Sequence, residues 1–288
     1  MSSTDSTAVR RHQFTGPGGI KLSADIAGAA GHATVVLLHG GGQTRHSWGG
    51  ATRALARAGY RVINLDVRGH GESGWSPEGD YSIHARSQDL LAVLSSIEAP
   101  CALVGASMGG TAALYATRIA AHAHLKALIL VDIVAKPSPH GVKRIQDFMR
   151  RHLDGFATVE EAIAAVAAYN PTRRRDPDPI GMRKNLRAGP NGRLIWHWDP
   201  NILSLDAWTE TAALMAVLEQ TTPPALPTLL VRGLRSDVVA DDGIADLREK
   251  IPGLEVVNVA GAGHMVAGDK NDAFNAGVLQ FLKQHLPP

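Results

Sequence analysis

The sequence lacks several features that mark specialised protein classes. It has one cysteine, Cys101, so no disulfide can form within the chain, and this favours a reducing compartment. Aromatic residues make up only 5% of the chain, and no apolar run approaches the length of a membrane span. The first residues, MSSTDSTAVRR, lack the cationic start and apolar run of a signal peptide. These absences predict a cytoplasmic protein without a membrane partner.

A large excess of positive or negative charge is also missing. The net charge is +2, 19% of the residues are charged, and no long basic run is present, so no nucleic-acid partner is expected. What the chain does have is 288 residues of which 44% are hydrophobic. This is enough to bury a sizeable core in one large α/β domain or two small ones.

Short apolar runs alternate with helical patterns along most of the chain. Their length and β-branched content favour buried strands at 33–38, 60–65, 101–106, 125–132, 227–233 and 254–260. Between them lie segments with apolar residues at helical spacing, and a last helix is predicted at 271–286. Ahead of the first of these strands, HQFTGPGGIKLSADI predicts a hairpin that turns at 16–19. Such alternation indicates a mostly parallel sheet with helices on both faces.

The alternation stops between residues 134 and 226. This segment has helical patterns, such as VKRIQDFMRRHL and VEEAIAAVAAY, but no clear parallel strand. It is predicted to be a helical insertion between two strands of the sheet.

The stretch GASMGG places Ser107 where a buried strand must turn into a helix. This context is typical of a nucleophile elbow, in which a strained turn exposes a serine hydroxyl. The flanking Gly105 and Gly109 let strand and helix approach closely. Met108 opens the helix, so its backbone N–H is free to point toward the reacting atom.

A serine hydroxyl needs a base and the base needs an orienting carboxylate. His264, in GAGHMV, follows the last predicted strand and can present an imidazole at the carboxyl edge of the sheet. Asp237, in VRGLRSDVV, follows the preceding strand and is the predicted carboxylate. The alternative candidates for this carboxylate are Asp241 and Asp242, further into the loop, and Asp132, at the end of the strand that follows the elbow helix.

A second oxyanion donor is predicted in LLHGGGQTRHSW, where glycines after a buried strand expose backbone N–H groups. Gly41 is the first choice, to act with Met108, and Gly42 is the near alternative. His39 is interpreted as a structural residue beneath this loop.

These motifs, with DVRGHGESG at 66–74, stand in an order that resembles the α/β-hydrolase superfamily. Two of these motifs, LLHGGGQTRHSW and DVRGHGESG, resemble those of one branch of the superfamily. That branch contains epoxide hydrolases, non-haem haloperoxidases (perhydrolases) and small-molecule esterases. The resemblance implies an eight-stranded, mostly parallel sheet, with a helical cap between strands six and seven. The cap would be residues 134–226, and the core would be 1–133 and 227–288. It also implies that His70 belongs to a structural loop and is not the base.

The nucleophile type narrows the chemistry. Epoxide hydrolases and haloalkane dehalogenases carry aspartate where this sequence has Ser107, and serine suits acyl transfer. The predicted function is hydrolysis of a small carboxylic ester or lactone through an acyl-enzyme. The alternatives are perhydrolysis or carbon–carbon bond hydrolysis on the same triad, and a ligand-binding receptor with vestigial hydrolysis.

The remaining predictions concern the ligand. Gly42, Met265, Trp196 and Trp198 are candidates for the substrate pocket. Two arrangements of the tryptophans are open: one faces the site while the other packs the cap, or both belong to the cap core. No metal or organic cofactor is expected, because no His/Cys pair has metal-ligand spacing and the 40–42 glycines lack the Lys-Ser/Thr of a phosphate loop.

Overall fold

A computed structural model of the protein describes residues 8–171, 178–222, 225–266 and 271–288. The strands found there are β1 (Arg10–Thr15), β2 (Lys21–Ala27), β3 (Thr34–Leu38), β4 (Arg61–Leu65), β5 (Cys101–Ala106), β6 (Leu125–Val131), β7 (Leu186–Ala188), β8 (Leu194–Trp196), β9 (Thr228–Gly233) and β10 (Glu255–Val259). The α-helices are α1 (Gly49–Arg57), α2 (Ile83–Leu94), α3 (Met108–Ile119), α4 (Pro139–Arg151), α5 (Val159–Tyr169), α6 (Pro179–Arg183), α7 (Ala207–Gln220), α8 (Asp241–Lys250) and α9 (Asn271–His285).

Within the described residues, eight strands form one sheet in the order β1-β2-β4-β3-β5-β6-β9-β10. β1 and β2 are antiparallel to their neighbours, and the pairs from β4 through β3, β5, β6 and β9 to β10 are parallel. This confirms the predicted mostly parallel eight-stranded sheet and the hairpin before it. The parallel strands all end at one edge, so the loops that follow them meet there.

Helices cover both faces of the sheet. Successive side chains of a strand point to opposite faces, and in β3 the side chains of Val36 and Leu38 enter one buried cluster while Val35 and Leu37 enter another. α2, α3, α7 and α8 pack into the first cluster, and α1 and α9 pack into the second. No helix of the described residues is long and apolar enough to cross a membrane.

The segment 134–226 differs in two respects from the helical insertion expected for it. It contains a short antiparallel hairpin of β7 and β8, beside α4, α5 and α6. Its last helix, α7, buries Leu214 and Leu218 in the same cluster as α2 and α3, and so packs as part of the central layers. The division into a core and a cap at 134 and 226 remains a prediction.

Candidate active site

Ser107 lies at the turn between β5 and α3, with a φ of 46° and a ψ of −118°. A non-glycine residue with positive φ is strained, and here the strain fits the tight strand-to-helix turn. The turn requires glycine on both sides, since a Cβ on Gly105 would lie 2.6 Å from the carbonyl oxygen of Gly109, and a Cβ on Gly109 would lie 2.6 Å from the carbonyl oxygen of His39. A hydrogen bond of 3.1 Å from the Ser107 N–H to the Val131 carbonyl fixes the turn against the end of β6.

The loop after β3 is held beside this turn by two buried histidines. Val67 N–H donates to Nε2 of His39 at 3.0 Å, and the His39 ring donates from Nδ1 to the Gly40 carbonyl at 2.8 Å. Gly42 N–H donates to Nε2 of His70 at 3.1 Å, which leaves the His70 proton on Nδ1, facing the Arg68 carbonyl. Both rings are therefore neutral. They hold the loop in place, and a structural role is what the sequence predicted for His39 and His70.

Burial explains why these rings stay neutral. It lowers the pKa of His39, and it lowers the pKa of His70 well below its ordinary value, with a further lowering from the neighbouring His39. The two ring centroids are 5.0 Å apart.

The same contacts separate the two candidate oxyanion donors in the loop. The Gly42 N–H is donated to His70. Gly41 lies next to Met108, because a Cβ on Gly41 would be 3.9 Å from Sδ of Met108. A Cβ on Gly40 would be 3.4 Å from Cβ of Ser107, so the loop and the turn are in contact. This geometry favours Gly41 over Gly42 as the partner of Met108.

His264 is oriented by Asp132. Its Nδ1 lies 2.8 Å from Oδ2 of Asp132, whose side chain is completely buried. The carboxylate accepts this bond, so the proton is on Nδ1 and Nε2 is the basic nitrogen of the ring. Asp132 follows β6 and has a φ of 50°, a second strained residue at this edge of the sheet.

Two further donors fix the Asp132 carboxylate. Gly233 N–H donates to Oδ1 at 2.9 Å, and the Ser236 hydroxyl donates to Oδ2. The ends of β6, β9 and β10 thus converge on one carboxylate. Sequence reasoning named Asp132 only as a less favoured rival and missed Ser236.

The assignment of Asp237 as the carboxylate that orients His264 is wrong. Both oxygens of Asp237 accept from Arg144 of α4, at 2.5 Å from Nε and 3.1 Å from Nη2. The other rivals also have different partners, since Asp241 pairs with Arg232 and Asp242 bonds the Gly243 N–H. The position of each aspartate directly after a strand predicted the correct edge of the sheet. It could not predict that Arg144 of α4 would pair with Asp237.

A cavity of about 920 Å³ opens at this edge, and its walls include Ser107, Met108, Asp132 and His264. The predicted pocket residues also line it, namely Gly41, Gly42, Trp196, Trp198 and Met265. Both tryptophans are buried in the apolar cluster of the insertion while lining the cavity, so they do not divide into one that faces the site and one that packs. Their roles in substrate binding remain predictions.

The cavity wall on the side of α4 and α5 is mainly apolar. It includes Val142, Ile145, Phe148, Met149, Ile163 and Val166. Met149 reaches the loop after β3, because a Cβ on Gly42 would lie 3.4 Å from its terminal methyl group. Among the described residues, no group of three or more His, Cys, Asp or Glu side chains is placed to hold a metal ion.

Known proteins with similar sequences are hydrolases. A sequence profile described as alpha/beta hydrolase fold matches residues 33–270. The chain is 30% identical over 258 residues to the esterase Rv0045c of Mycobacterium tuberculosis, across 82% of this chain and 78% of the esterase. It is 29% identical over 272 residues to the mouse sn-1-specific diacylglycerol lipase ABHD11, across 89% of this chain and 83% of the lipase.

Solved structures show the same similarity. The Mycobacterium tuberculosis esterase superposes with a TM-score of 0.74 at 26% identity, over 96% of this chain and 92% of that one. The structure of E-2-(acetamidomethylene)succinate hydrolase superposes with a TM-score of 0.80 at 19% identity, over 96% of this chain and all of the other, 100%. At that identity the second likeness shows the fold alone.

Proposed function

Since this chain belongs to the alpha/beta hydrolase family, we propose that it hydrolyses carboxylic esters through an acyl-enzyme formed on Ser107. It is an enzyme of the hydrolase type, and its relatives support carboxylic-ester hydrolysis. The observation that carries the mechanism is the hydrogen bond of 2.8 Å between Asp132 and Nδ1 of His264, at a cavity that Ser107 also lines.

In the proposed first step, Nε2 of His264 takes the Ser107 proton as Oγ attacks the ester carbonyl carbon. The tetrahedral intermediate then collapses, the bond to the alcohol breaks, and His264 gives its proton to the leaving alkoxide. In the second half, His264 takes a proton from water, and the resulting hydroxide attacks the acyl-enzyme. Collapse then returns the proton to Ser107 and releases the acid.

Asp132 does not transfer a proton in this scheme. It holds the tautomer in which Nε2 is free to act as a base, and it stabilises the imidazolium that forms in both halves of the reaction. The bonds from Gly233 and Ser236 keep its buried carboxylate in place for this role. The backbone N–H groups of Gly41 and Met108 are the proposed donors to the oxyanion.

The size and lining of the cavity support an ester with a substantial apolar acyl group. About 920 Å³ is at the upper end of what a small-molecule site needs, and the wall from α4 and α5 is mainly apolar. Four methionines line it as well, Met108, Met149, Met182 and Met265, and such flexible side chains can adapt to acyl groups of different shape. The proposed substrates are small-molecule esters with acyl chains longer than acetyl.

The test is covalent labelling combined with substitution. A fluorophosphonate probe should label Ser107 and stop hydrolysis of p-nitrophenyl esters, and peptide mass spectrometry locates the label. Ser107→Ala and His264→Ala should each lower kcat by roughly 10⁴ to 10⁶-fold, and the double variant should lose no more than either alone, because the two residues act as a unit. Near-normal hydrolysis by Ser107→Ala, or a label on another residue, would refute the mechanism.

A further inference from the structure

Asp237, which the sequence predicted as the catalytic carboxylate, pairs with an arginine of α4, one of the helices that line the cavity. Arg144 of α4 holds both oxygens of Asp237, which lies in the loop after β9. The side chains are 41% and 25% exposed, so the pair lies at the rim of the molecule and not in its core.

Two further contacts join the same helix to the same loop. Ser138 N–H, at the start of α4, donates to the Val238 carbonyl at 2.9 Å. Gly141 packs so tightly on the loop that a Cβ there would lie 2.3 Å from the Asp237 carbonyl oxygen. The first two turns of α4 are therefore seated directly on residues 237–238.

Arg144 also connects the second helix above the cavity. Its Nη1 donates to the Tyr169 carbonyl at 3.0 Å, at the end of α5, and its guanidinium lies 4.6 Å from the centre of the Tyr169 ring. Phe148 of α4 packs on that ring with centroids 4.5 Å apart, and both aromatic side chains line the cavity. One guanidinium thus joins α4, α5 and the loop after β9.

The loop leads directly to the catalytic edge. Ser236, next to Asp237, donates its hydroxyl to Asp132 and accepts from the Val238 and Val239 N–H groups at 3.2 and 3.3 Å. Because the Asp132 carboxylate has two other donors, Gly233 and His264, it does not depend on this loop alone. A change at the Arg144–Asp237 pair should therefore be felt mainly by α4 and α5.

We propose that Arg144 and Asp237 form a clamp that holds α4 and α5 over the cavity and thereby sets the affinity for long acyl groups. They are positioning residues, since neither contacts the reacting atoms in the proposed mechanism. An acetyl group needs only the floor of the cavity around Ser107. A longer chain must contact the apolar wall that α4 and α5 supply.

The kinetic test, which rests on the proposed esterase function, compares p-nitrophenyl acetate with p-nitrophenyl octanoate. Arg144→Ala and Asp237→Asn should each raise KM for the octanoate by about fivefold, the effect of losing about 1 kcal/mol of binding energy. KM for the acetate and kcat for both esters should change little. The charge-exchanged double variant R144D/D237R should recover part of the octanoate affinity, but not the contacts of Arg144 with Tyr169.

Lys143→Ala is the matched control. Lys143 is the neighbour of Arg144 on α4, and its exposed side chain pairs with Asp147 of the same helix at 2.6 Å. Its removal should leave KM for both esters at the wild-type value. If Arg144→Ala fails to fold, as circular dichroism would show, Asp237→Asn carries the test, since it keeps the size of the side chain.

Amide hydrogen exchange gives a reading that does not depend on hydrolysis. Arg144→Ala should speed exchange in residues 139–169 relative to the sheet, and Lys143→Ala should not. If the wild-type protein hydrolyses no ester, the proposed function is refuted. The hydrogen-exchange rates of residues 139–169 would then be the test of the clamp. A wild-type KM for the octanoate in both Arg144→Ala and Asp237→Asn would overturn the effect on affinity, and wild-type exchange in both variants would overturn the clamp itself.

Discussion

At the scale of single residues, the chemistry of the site depends on which aspartate faces His264. Asp132 and Asp237 follow adjacent strands, and both have a basic partner close by. Asp132 is completely buried against the imidazole, whereas Asp237 is partly exposed against a guanidinium. A buried carboxylate with three donors is held in one orientation, which is what orienting a catalytic base requires.

This difference predicts opposite outcomes for two matched substitutions. Asp132→Asn should lower kcat for p-nitrophenyl acetate by about 10³ to 10⁴-fold, because the amide would favour the wrong tautomer of His264. Asp237→Asn should leave kcat for the acetate close to the wild-type value. Steady-state kinetics of the two variants side by side decides the matter, and the reverse ranking would restore Asp237 as the catalytic carboxylate.

The sequence predicted the candidate residues better than it predicted their pairing. The contexts of Ser107 and His264 are local, a strand followed by a glycine-bounded turn, and local context can be read from one sequence. The choice between Asp132 and Asp237 depends on where α4 lies and on a positive φ at Asp132, and neither is encoded nearby. A sequence signal for Asp132 did exist, since it ends the strand that follows the elbow helix.

At the scale of elements, the strands of the sheet were predicted closely. The run CALVGA was expected to be a strand at 101–106, and β5 is Cys101–Ala106. Buried parallel strands are continuous apolar runs, which explains this success. The hairpin of β7 and β8 was missed because each strand has only three residues, too few to show a period.

The packing of α3 on β5 predicts the cost of one added methyl group. A Cβ on Gly105 would lie 2.6 Å from backbone atoms of Gly109 and Gly110, which cannot rotate away. Gly105→Ala should therefore lower the free energy of unfolding by about 1 to 3 kcal/mol, and it should lower kcat as α3 moves away with Ser107. Urea denaturation and ester kinetics measure the two effects.

Gly277→Ala is the control for this substitution. Gly277 lies within α9, and among the described side chains a Cβ there would meet a methyl group of Val257 at 3.5 Å, an ordinary contact. Alanine is the better helix former, so this variant should be as stable as the wild type or more stable by up to about 1 kcal/mol. Equal losses in the two variants would show that close approach at the elbow is not the cause.

At the scale of the whole molecule, the cavity is built where the separate layers meet. The sheet supplies the strand ends that carry Ser107, Asp132 and His264, and the segment between β6 and β9 supplies the apolar wall. The side chains buried on the side of the loop after β3 include His39, His70, Arg45 and Asp66. The stability of the molecule should therefore respond to pH through groups that take no part in the reaction.

His39 and His70 predict the direction of that response. Burial lowers the pKa of both rings in the folded protein, so below about pH 6.5 these two sites bind more protons in the unfolded chain than in the folded one. The free energy of unfolding should be highest above this pH. It should fall on acidification toward pH 5, by up to about 1.4 kcal/mol per pH unit for each histidine that stays neutral. Urea midpoints measured from pH 5 to 7.5 test this.

Substitution of His70 separates its contribution to the pH dependence of stability from the contributions of other groups. His70→Gln keeps an acceptor for the Gly42 N–H but cannot take up a proton, so its stability should fall less on acidification than that of the wild type. His140→Gln, at an exposed position of α4, should leave the wild-type slope unchanged. A His70→Gln variant with the full wild-type slope would show that His70 does not stay neutral in the folded state.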